Sequence, residues 1–253
     1  MLKHLNPHKN DCLISFDPIP HIYNNLSNNS QFHSSVTSFV KRFFPSFESK
    51  QDGILKSLVA KNFNNKSSKY FQLNEQQIKD LWNVDKISAA SKGTLLHASI
   101  EYYFNDQSHL INPDILSSTE WSYFLNFLSF NKHLTPYRTE WEIFDPDADL
   151  AGSIDMVFKD SSGLFHIYDW KRSKEIKLFS FNNESALDPI NHIPNSNYWH
   201  YALQLNIYKY ILQKNYDIII DKLHIVVFHE NFNNFLDYEL PCLQNEVKSM
   251  MNF

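Results

Sequence analysis

The sequence predicts an α/β sandwich, in which a mixed β-sheet lies between layers of helices. Three observations indicate this fold class. Apolar residues recur at helical spacing before residue 131, they alternate with polar residues over residues 138–171, and helical spacing returns from residue 198. Helices that precede and follow a sheet bury their apolar faces against it.

A mainly helical subregion is expected over residues 1–90, followed by the core of the domain over residues 91–253. The pattern predicts an irregular strand pair at residues 11–24 and a short helix at 35–44, which has a Ser or Thr cap and ends at Pro45. A polar helical stretch is expected at residues 54–83, with an Asn/Ser/Lys-rich break at 64–69. Two further helices are expected at residues 89–104 and 118–131.

The sheet is expected to contain a three-stranded meander. The segments RTEWEIF, AGSIDMVF and LFHIYDWK alternate as strands do, and turn residues separate them. A loop, a long aromatic helix, two more strands and a short C-terminal helix follow. The loop is expected at residues 182–197, the aromatic helix at 198–214, and the strands at 222–229 and 235–240.

Composition narrows the class of protein. A net charge of −5 and a pI of about 6.2 argue against a strongly electrostatic, non-specific nucleic-acid coat, although a local basic groove is compatible with them. With two cysteines, Cys12 and Cys242, these 253 residues cannot form a four-cysteine zinc or iron–sulfur site. No apolar run approaches the roughly 20 residues of a membrane span, and no signal peptide is visible. We therefore expect an intracellular protein, cytoplasmic or nuclear, that is not in the membrane.

The meander carries the residues with the clearest chemistry. Asp169 and Lys171 are two apart and project to the same side of their strand, and Asp155 lies in the neighbouring strand. Two converging carboxylates repel each other unless a cation lies between them, and oxygen ligands favour Mg²⁺ or Mn²⁺. A lysine beside that cation can stabilise the transition state of phosphodiester hydrolysis.

Glycine is scarce, with four residues in the chain, and two of them lie near candidate site residues. Gly152 precedes Asp155 by three positions and Gly93 precedes His97 by four. We expect both where a side chain would obstruct something. A glycine that simply opens a strand is an equally good interpretation of Gly152.

Two predicted helices carry polar pairs at a spacing of four. His97 and Glu101 can present a nitrogen ligand and a supporting carboxylate to one metal ion, although histidines more often lie on the surface or in a satisfied core. Gln204 and Tyr208 could contact a phosphate or hold Lys171, and core-facing or surface positions on an aromatic helix explain them as well.

Taken in chain order, these motifs match a known family. The chain shows G-x-x-x-H-x-x-x-E, then G-S-I-D, then D-W-K, then Q-L-N-I-Y. This order resembles the PD-(D/E)XK nuclease superfamily, in its RecB-like branch that includes lambda-type exonucleases and the mitochondrial genome maintenance exonuclease. The match covers about residues 90–230, and the order of the four motifs makes it specific, because D-x-K alone occurs in many proteins.

The resemblance implies roles for individual residues. His97, Asp155 and Asp169 would be metal ligands, with the main-chain carbonyl of Trp170 completing the set, and Lys171 would be the catalytic lysine.

Further residues would support this site. Gln204 and Tyr208 would belong to the helix that supports the active site and touches DNA, and Glu101 would support the ligands. An acidic residue of the first meander strand would also take part. Glu140 and Glu142 both qualify, since alternation makes them face the same way.

The fold, cofactors and partners that follow from the resemblance are specific. It implies a restriction-endonuclease-like αβα sandwich that uses Mg²⁺ or Mn²⁺ and holds no iron–sulfur cluster. The activity would be that of an exonuclease on DNA ends or single strands, in replication, repair or recombination, with DNA and replication or recombination proteins as partners. No G-x-x-x-x-G-K-[ST] motif is present, so any motor would be a separate protein.

The N-terminal part lies outside the match. Ser35 and Thr37 at a helix start, with Lys41 and Arg42, could bind a backbone phosphate, and a plain capped helix with a solvated basic end fits at least as well. Three aromatic residues could stack bases or belong to the core: Phe43, Phe44 and Tyr70.

Three hypotheses of function remain open. An active deoxyribonuclease needs Asp155, Asp169 and Lys171, and all three are present. A non-catalytic binding module for nucleic acid or protein is mildly favoured by the acidic pI, and an RNA endonuclease of similar fold is a third reading. The absence of an H-E-x-x-H motif argues against a metalloprotease, since His97 and Glu101 supply one histidine only.

Overall fold

The computed structural model describes residues 1–47, 50–180 and 183–253. Nine strands are present in this part of the chain, and they form two sheets. Three make a small antiparallel sheet: β1 (Ile14–Asp17), β2 (Ile22–Asn25) and β3 (Ser30–Gln31). The other six make the main sheet: β4 (Ser34–Ser35), β5 (Thr135–Asp145), β6 (Leu150–Lys159), β7 (Phe165–Lys171), β8 (Ile220–Val227) and β9 (Leu236–Glu239).

The main sheet is mixed, as predicted. Strands β5, β6 and β7 are antiparallel neighbours, which confirms the meander. Strand β8 runs parallel to β7, and β9 runs antiparallel to β8. One edge of β6 is shared by two strands. Short β4 pairs in parallel with Leu150 and Ala151 at the start of β6, and β7 pairs with Met156 and the residues after it. Between these two strands, residues 152–155 of β6 have no paired strand on this edge among the described residues.

Eight α-helices are described: α1 (Leu2–Leu5), α2 (Val36–Lys41), α3 (Gln51–Asn62), α4 (Glu75–Phe104), α5 (Pro113–Leu116), α6 (Thr119–Phe130), α7 (Asn197–Asn215) and α8 (Gln244–Met251). The helices predicted before the meander, in the aromatic segment and at the C-terminus are confirmed as α6, α7 and α8. The prediction of separate helices ending at residue 83 and beginning at 89 is wrong, because α4 runs through without a break. No proline interrupts that stretch. The loop expected from residue 182 begins outside the described residues.

Helices cover both faces of the sheet, which confirms the αβα sandwich. Neighbouring residues of β6 and β7 enter opposite cores, as strand alternation requires. One core contains Val157 and Ile167 with side chains of α2, α7 and α8, and the other contains Phe158 and Tyr168 with side chains of α6 and the end of α4.

The chain divides into two compact units. Unit 1 comprises Met1–Phe44 and Leu95–Phe253, and unit 2 comprises Pro45–Thr94. This differs from a division at residue 90, because the first 44 residues belong to the unit that contains the main sheet. They contribute four strands to that unit, of which β4 is in the main sheet. None of the described helices combines the length and apolar character of a membrane-crossing segment. Cys12 and Cys242 are both exposed and free.

A buried arginine explains why the start of the chain belongs to unit 1. Arg138 of β5 is 2% exposed, and its guanidinium donates to both carboxylate oxygens of Asp11, at 2.8 and 3.1 Å, and to the carbonyl of Asn6. The indole of Trp141 also donates to Asp11. Burial raises the pKa of Asp11, but the hydrogen bond and charge of Arg138, with the hydrogen bonds from the His8 N–H and from Trp141, outweigh it and hold that pKa below its usual value. The pair anchors the N-terminal segment on β5.

We predict that Asp11→Ala lowers the free energy of unfolding of unit 1 by about 3–5 kcal/mol, because it leaves a buried guanidinium without its counterion. Urea denaturation measures the change, and Asp221→Ala, at an exposed position, should stay close to wild type. Since the folded-state pKa of Asp11 is below the unfolded value of about 3.9, its contribution is present above that pH. The difference between wild type and Asp11→Ala should therefore shrink as the pH falls further. An equal effect of Asp221→Ala would contradict the assignment.

Candidate functional site

The site lies where β6 and β7 separate. Their antiparallel pairing ends at Met156 and Tyr168, while β7 stays paired with β8 through Lys171. Beyond that point the Trp170 N–H donates to the carboxylate Oδ2 of Asp155 at 2.8 Å instead of to the backbone of β6. The Asp155 side chain thus takes the place of a strand partner and is fixed in the resulting cleft.

His97 of α4 lies over this cleft. Its Nε2 is 2.7 Å from the Trp170 carbonyl oxygen, and because a carbonyl only accepts, Nε2 carries the donated proton. In the neutral ring Nδ1 then holds a lone pair, 3.4 Å from Asp155 Oδ2 and 4.0 Å from Glu140 Oε1. The imidazole therefore presents a ligand nitrogen toward two carboxylates.

Glu140 is the third member of this group. It lies on β5 between the residues paired with Met156 and Ile154, and so stands opposite Asp155. Its backbone φ of +41° is in the left-handed region, which costs a non-glycine residue about 1–2 kcal/mol. The Ser153 hydroxyl donates to Glu140 Oε2 at 3.1 Å. Of the two acidic candidates on β5, Glu140 is the one beside His97.

The donors of this group fit a divalent cation. One ligand atom each from His97, Glu140 and Asp155 can be chosen so that all three lie within 4.8 Å of one another. Burial raises the pKa of Glu140 well above its usual range, and the charge of Asp155 raises it further. Two carboxylates held together at such a cost are relieved by a cation, and imidazole with carboxylate oxygen is a common donor set for one.

Asp169 and Lys171 form an adjoining ion pair. Asp169 is 2% exposed, and burial raises its pKa to about 6, a shift that the Lys171 ammonium opposes and the Asp155 charge reinforces. Lys171 Nζ pairs with Asp169 Oδ2 and lies 4.8 Å from the ring centre of Tyr201. Burial lowers the pKa of Lys171, but the charges of Asp169 and Asp155 outweigh it and keep the lysine protonated.

The predicted ligand set thus differs from the group that the structure assembles. Of the predicted ligands, His97, Asp155 and the Trp170 carbonyl lie together. Glu140 is the acidic residue whose oxygen lies within the group, whereas Asp169 directs Oδ2 to Lys171. Asp169 is nevertheless close enough to the group for the charge of Asp155 to raise its pKa and for His97 to lower it.

Gln204 and Tyr208 contact each other on α7. The Gln204 amide donates to the Tyr208 hydroxyl at 3.1 Å, and Tyr208 is buried against Gly152. A β-carbon on Gly152 would lie 2.7 Å from Tyr208 Cε1 and 3.2 Å from Val36, so this glycine is required by close packing. Gly93 is different, since a β-carbon there meets no described atom within 4 Å.

The remaining predicted residues lie around or outside the cleft. Glu101 lines a cavity of about 210 Å³ with Glu140 and Glu142, and burial together with the Glu142 charge raises the pKa of Glu101. The Ser35 hydroxyl accepts the Ser38 N–H and caps α2, which agrees with a plain capped helix.

Thr37 is exposed on α2. Phe43 and Phe44 are buried in the core of unit 1, so they are not available to stack bases. The Tyr70 hydroxyl accepts a hydrogen bond from Trp82 within unit 2.

Two residues near the site were not anticipated. Tyr201 precedes Gln204 by one helical turn and covers Lys171, and its place among many aromatic residues of α7 gave no signal. Tyr23, on β2, is buried, and its pKa is raised first by burial and then by the charges of Glu140 and Glu142. It belongs to the N-terminal segment, which none of the four motifs covers.

Comparison with known proteins gives limited likeness. No family model matches the chain, and no curated protein matches it. A crystal structure from Eubacterium rectale named "Putative exonuclease" is 15% identical over 63% of this chain, with a TM-score of 0.41, and the chain spans 63% of its length, which is less than two thirds. The crystal structure of SSO0001 is 16% identical over 63% of this chain and 68% of its own, with a TM-score of 0.29. The fold described above is established by the chain's own sheet and helices.

We predict opposite effects of alanine at two glycines. Gly152→Ala should lower the free energy of unfolding by about 1–3 kcal/mol, because the new methyl group overlaps Tyr208 and Val36. Gly93→Ala is the matched control and should raise helix stability by up to about 1 kcal/mol, since it lies within α4 with space around it. Chemical denaturation followed by far-ultraviolet circular dichroism measures both. A Gly152→Ala protein as stable as wild type would show that the packing against Tyr208 is not restrictive.

Proposed function

We propose that this chain is a divalent-metal-dependent nuclease that hydrolyses the phosphodiester bonds of DNA. The observation that carries the proposal is the convergence, at the point where β6 and β7 separate, of His97, Glu140 and Asp155 with the buried pair of Asp169 and Lys171. Phosphodiester hydrolysis requires a site for a cation and a second fixed positive charge near the scissile phosphate. The order of the motifs, which resembles the RecB-like branch of PD-(D/E)XK nucleases, supports the same assignment.

In this proposal His97, Glu140 and Asp155 hold Mg²⁺ or Mn²⁺, with Asp169 and the Trp170 carbonyl at the same cleft. The carboxylate and carbonyl oxygens of this set are the donors that suit these ions. A bound ion supplies Lewis acidity and lowers the pKa of a coordinated water molecule. Two observations support this position for the ion. Ligand atoms of His97, Glu140 and Asp155 lie within 4.8 Å of one another, and the pKa of Glu140 is raised.

Lys171 acts on the phosphate in this scheme. Its ammonium is kept protonated by neighbouring carboxylates, and it can donate hydrogen bonds to a non-bridging oxygen as negative charge develops. Asp169 fixes one side of the ammonium through the ion pair, and the ring of Tyr201 lies against it. The lysine is therefore held in place before substrate arrives, which avoids the cost of ordering it during reaction.

The finer assignment follows the branch that the motifs resemble. We propose an exonuclease that acts on DNA ends or single strands in replication, repair or recombination, with proteins of those processes as partners. The same cluster can act on DNA or on RNA. The experiment below separates a deoxyribonuclease from an RNA endonuclease and from a non-catalytic binding module.

We predict metal-dependent cleavage of labelled nucleic acid by the full chain. Single-stranded DNA, blunt duplex and single-stranded RNA, each labelled at one end, are incubated with Mn²⁺, Mg²⁺ or EDTA, and products are resolved on denaturing gels. DNA substrates should be cut only with metal. Lys171→Ala should lower the rate by on the order of 10²–10³-fold, because a preorganised positive charge is lost. Asp155→Asn should abolish cleavage.

Matched controls keep this test specific. Lys248→Ala and Asp221→Asn change the same residue types at exposed positions and should cut like wild type. Circular dichroism and thermal melting verify that each variant folds. Cleavage of RNA alone would assign an RNA endonuclease, and binding without cleavage of any substrate would leave the non-catalytic module as the function.

We also predict that Mn²⁺ raises the melting temperature of the wild-type chain, since a ligand that binds the folded state at 100 times its Kd stabilises it by about 2.7 kcal/mol. Glu140→Gln should lose most of this shift. Without metal, Glu140→Gln should be at least as stable as wild type. The folded-state pKa of Glu140 is raised, so its ionised form opposes folding at neutral pH. Differential scanning fluorimetry with and without EDTA measures both effects. A full Mn²⁺ shift in Glu140→Gln would exclude this residue as a ligand.

A further inference from the structure

The two units differ in the sign of their charge. Residues 45–94, which form unit 2, contain eight lysines and five acidic residues, whereas the rest of the chain contains 15 basic and 23 acidic residues. Within unit 2, residues 53–74 hold four lysines and no Asp or Glu. We call residues 53–74 the basic segment. It covers most of α3 and the turns that follow.

The lysines of the basic segment are mostly free of ion pairs. Lys56, Lys61 and Lys66 are exposed and have no carboxylate partner among the residues that the structure describes. Lys69 is the exception, because it pairs with Asp85 at 3.1 Å. These three exposed lysines lie within residues 56–66 and are available to an external anion, and phosphate groups are the anions that such lysines attract along a nucleic-acid chain.

Exposed apolar groups accompany these lysines. Phe63, at the end of α3, is 52% exposed and lies two residues after Lys61 and three before Lys66 in the sequence. Among the described residues of unit 2, Leu55 and Ile78 are the fully buried apolar side chains, so the unit has a small core. An aromatic ring left in solvent beside lysines can stack on an unpaired base.

We propose that the basic segment binds single-stranded nucleic acid, with phosphates on Lys56, Lys61 and Lys66 and a base on Phe63. This inference rests on the proposed function, since it assigns a surface that binds the same class of substrate as the nuclease cleft. The carboxylates that line the cleft of unit 1 do not attract a polyanion, whereas the basic segment offers exposed lysines without carboxylate partners among the described residues. A single strand is favoured over a duplex because stacking requires an accessible base face.

The test is binding by the full chain in EDTA, where metal-dependent cleavage does not contribute. Fluorescence anisotropy with a fluorescein-labelled thirty-nucleotide oligothymidylate is measured across a salt series. For the triple variant Lys56→Gln, Lys61→Gln, Lys66→Gln, the slope of log K against log salt should become shallower by about two, at 0.7 for each lost single-strand contact. Affinity near physiological salt should fall by on the order of tenfold or more. Phe63→Ala should weaken binding by about tenfold with an unchanged slope.

A matched triple variant separates this effect from bulk charge. Lys132→Gln, Lys222→Gln and Lys248→Gln remove the same charge from exposed positions of unit 1, and the slope should stay at the wild-type value. Equal losses in both triple variants, or no loss in the first, would overturn the proposal. Competition by polyglutamate as effective as that by unlabelled oligothymidylate would show a general anion surface and overturn the nucleic-acid assignment.

The result of the binding test can be read whether or not the chain cleaves nucleic acid. Lysine-dependent binding with no cleavage under any metal would support the surface and reject the nuclease. Cleavage with binding unaffected in the first triple variant would reject the surface and retain the nuclease. Absence of any binding to DNA or RNA oligonucleotides in EDTA also rejects the surface.

Discussion

The hydrogen bond from the Trp170 N–H to the Asp155 carboxylate is the constraint on which the site depends. Strands β6 and β7 separate at this point, and a backbone donor buried in the sheet must find another acceptor. A carboxylate satisfies it and is thereby held at one orientation. The Trp170 carbonyl accepts from His97, so the same residue fixes both neighbours. The cleft is a consequence of the sheet rather than of a mobile loop.

The site concentrates charge that folding alone would not favour. Glu140 has a backbone φ in the left-handed region, and its pKa is raised by burial and by the charge of Asp155. Asp169 is buried with Lys171 as its counterion. The core that α6 covers holds this arrangement, since Trp170 packs there against Phe127 of α6 and against Phe228, the residue after β8. Strain and like-charge repulsion at a site that packing imposes are typical of functional centres.

The charge balance of the whole chain conceals two opposite parts. An acidic unit contains the carboxylate cleft, and a small helical unit carries a segment with lysines and no acidic residue. A net charge of −5 therefore says little about affinity for a polyanion, because electrostatic attraction acts over roughly a Debye length and depends on the local surface.

The sequence by itself determined the meander and the flanking helices, because strand alternation and helical spacing are local properties, and its motif order singled out Asp155, Asp169 and Lys171 as candidates. The choice of Glu140 over Glu142 required the tertiary structure, since alternation gives both the same face and only the pairing across β5 and β6 places one opposite Asp155. Continuity of α4 and the membership of residues 1–44 in unit 1 were likewise decided by tertiary structure. So was the contact of Gly152 with Tyr208, because residues 56 positions apart meet only when a helix packs on a strand.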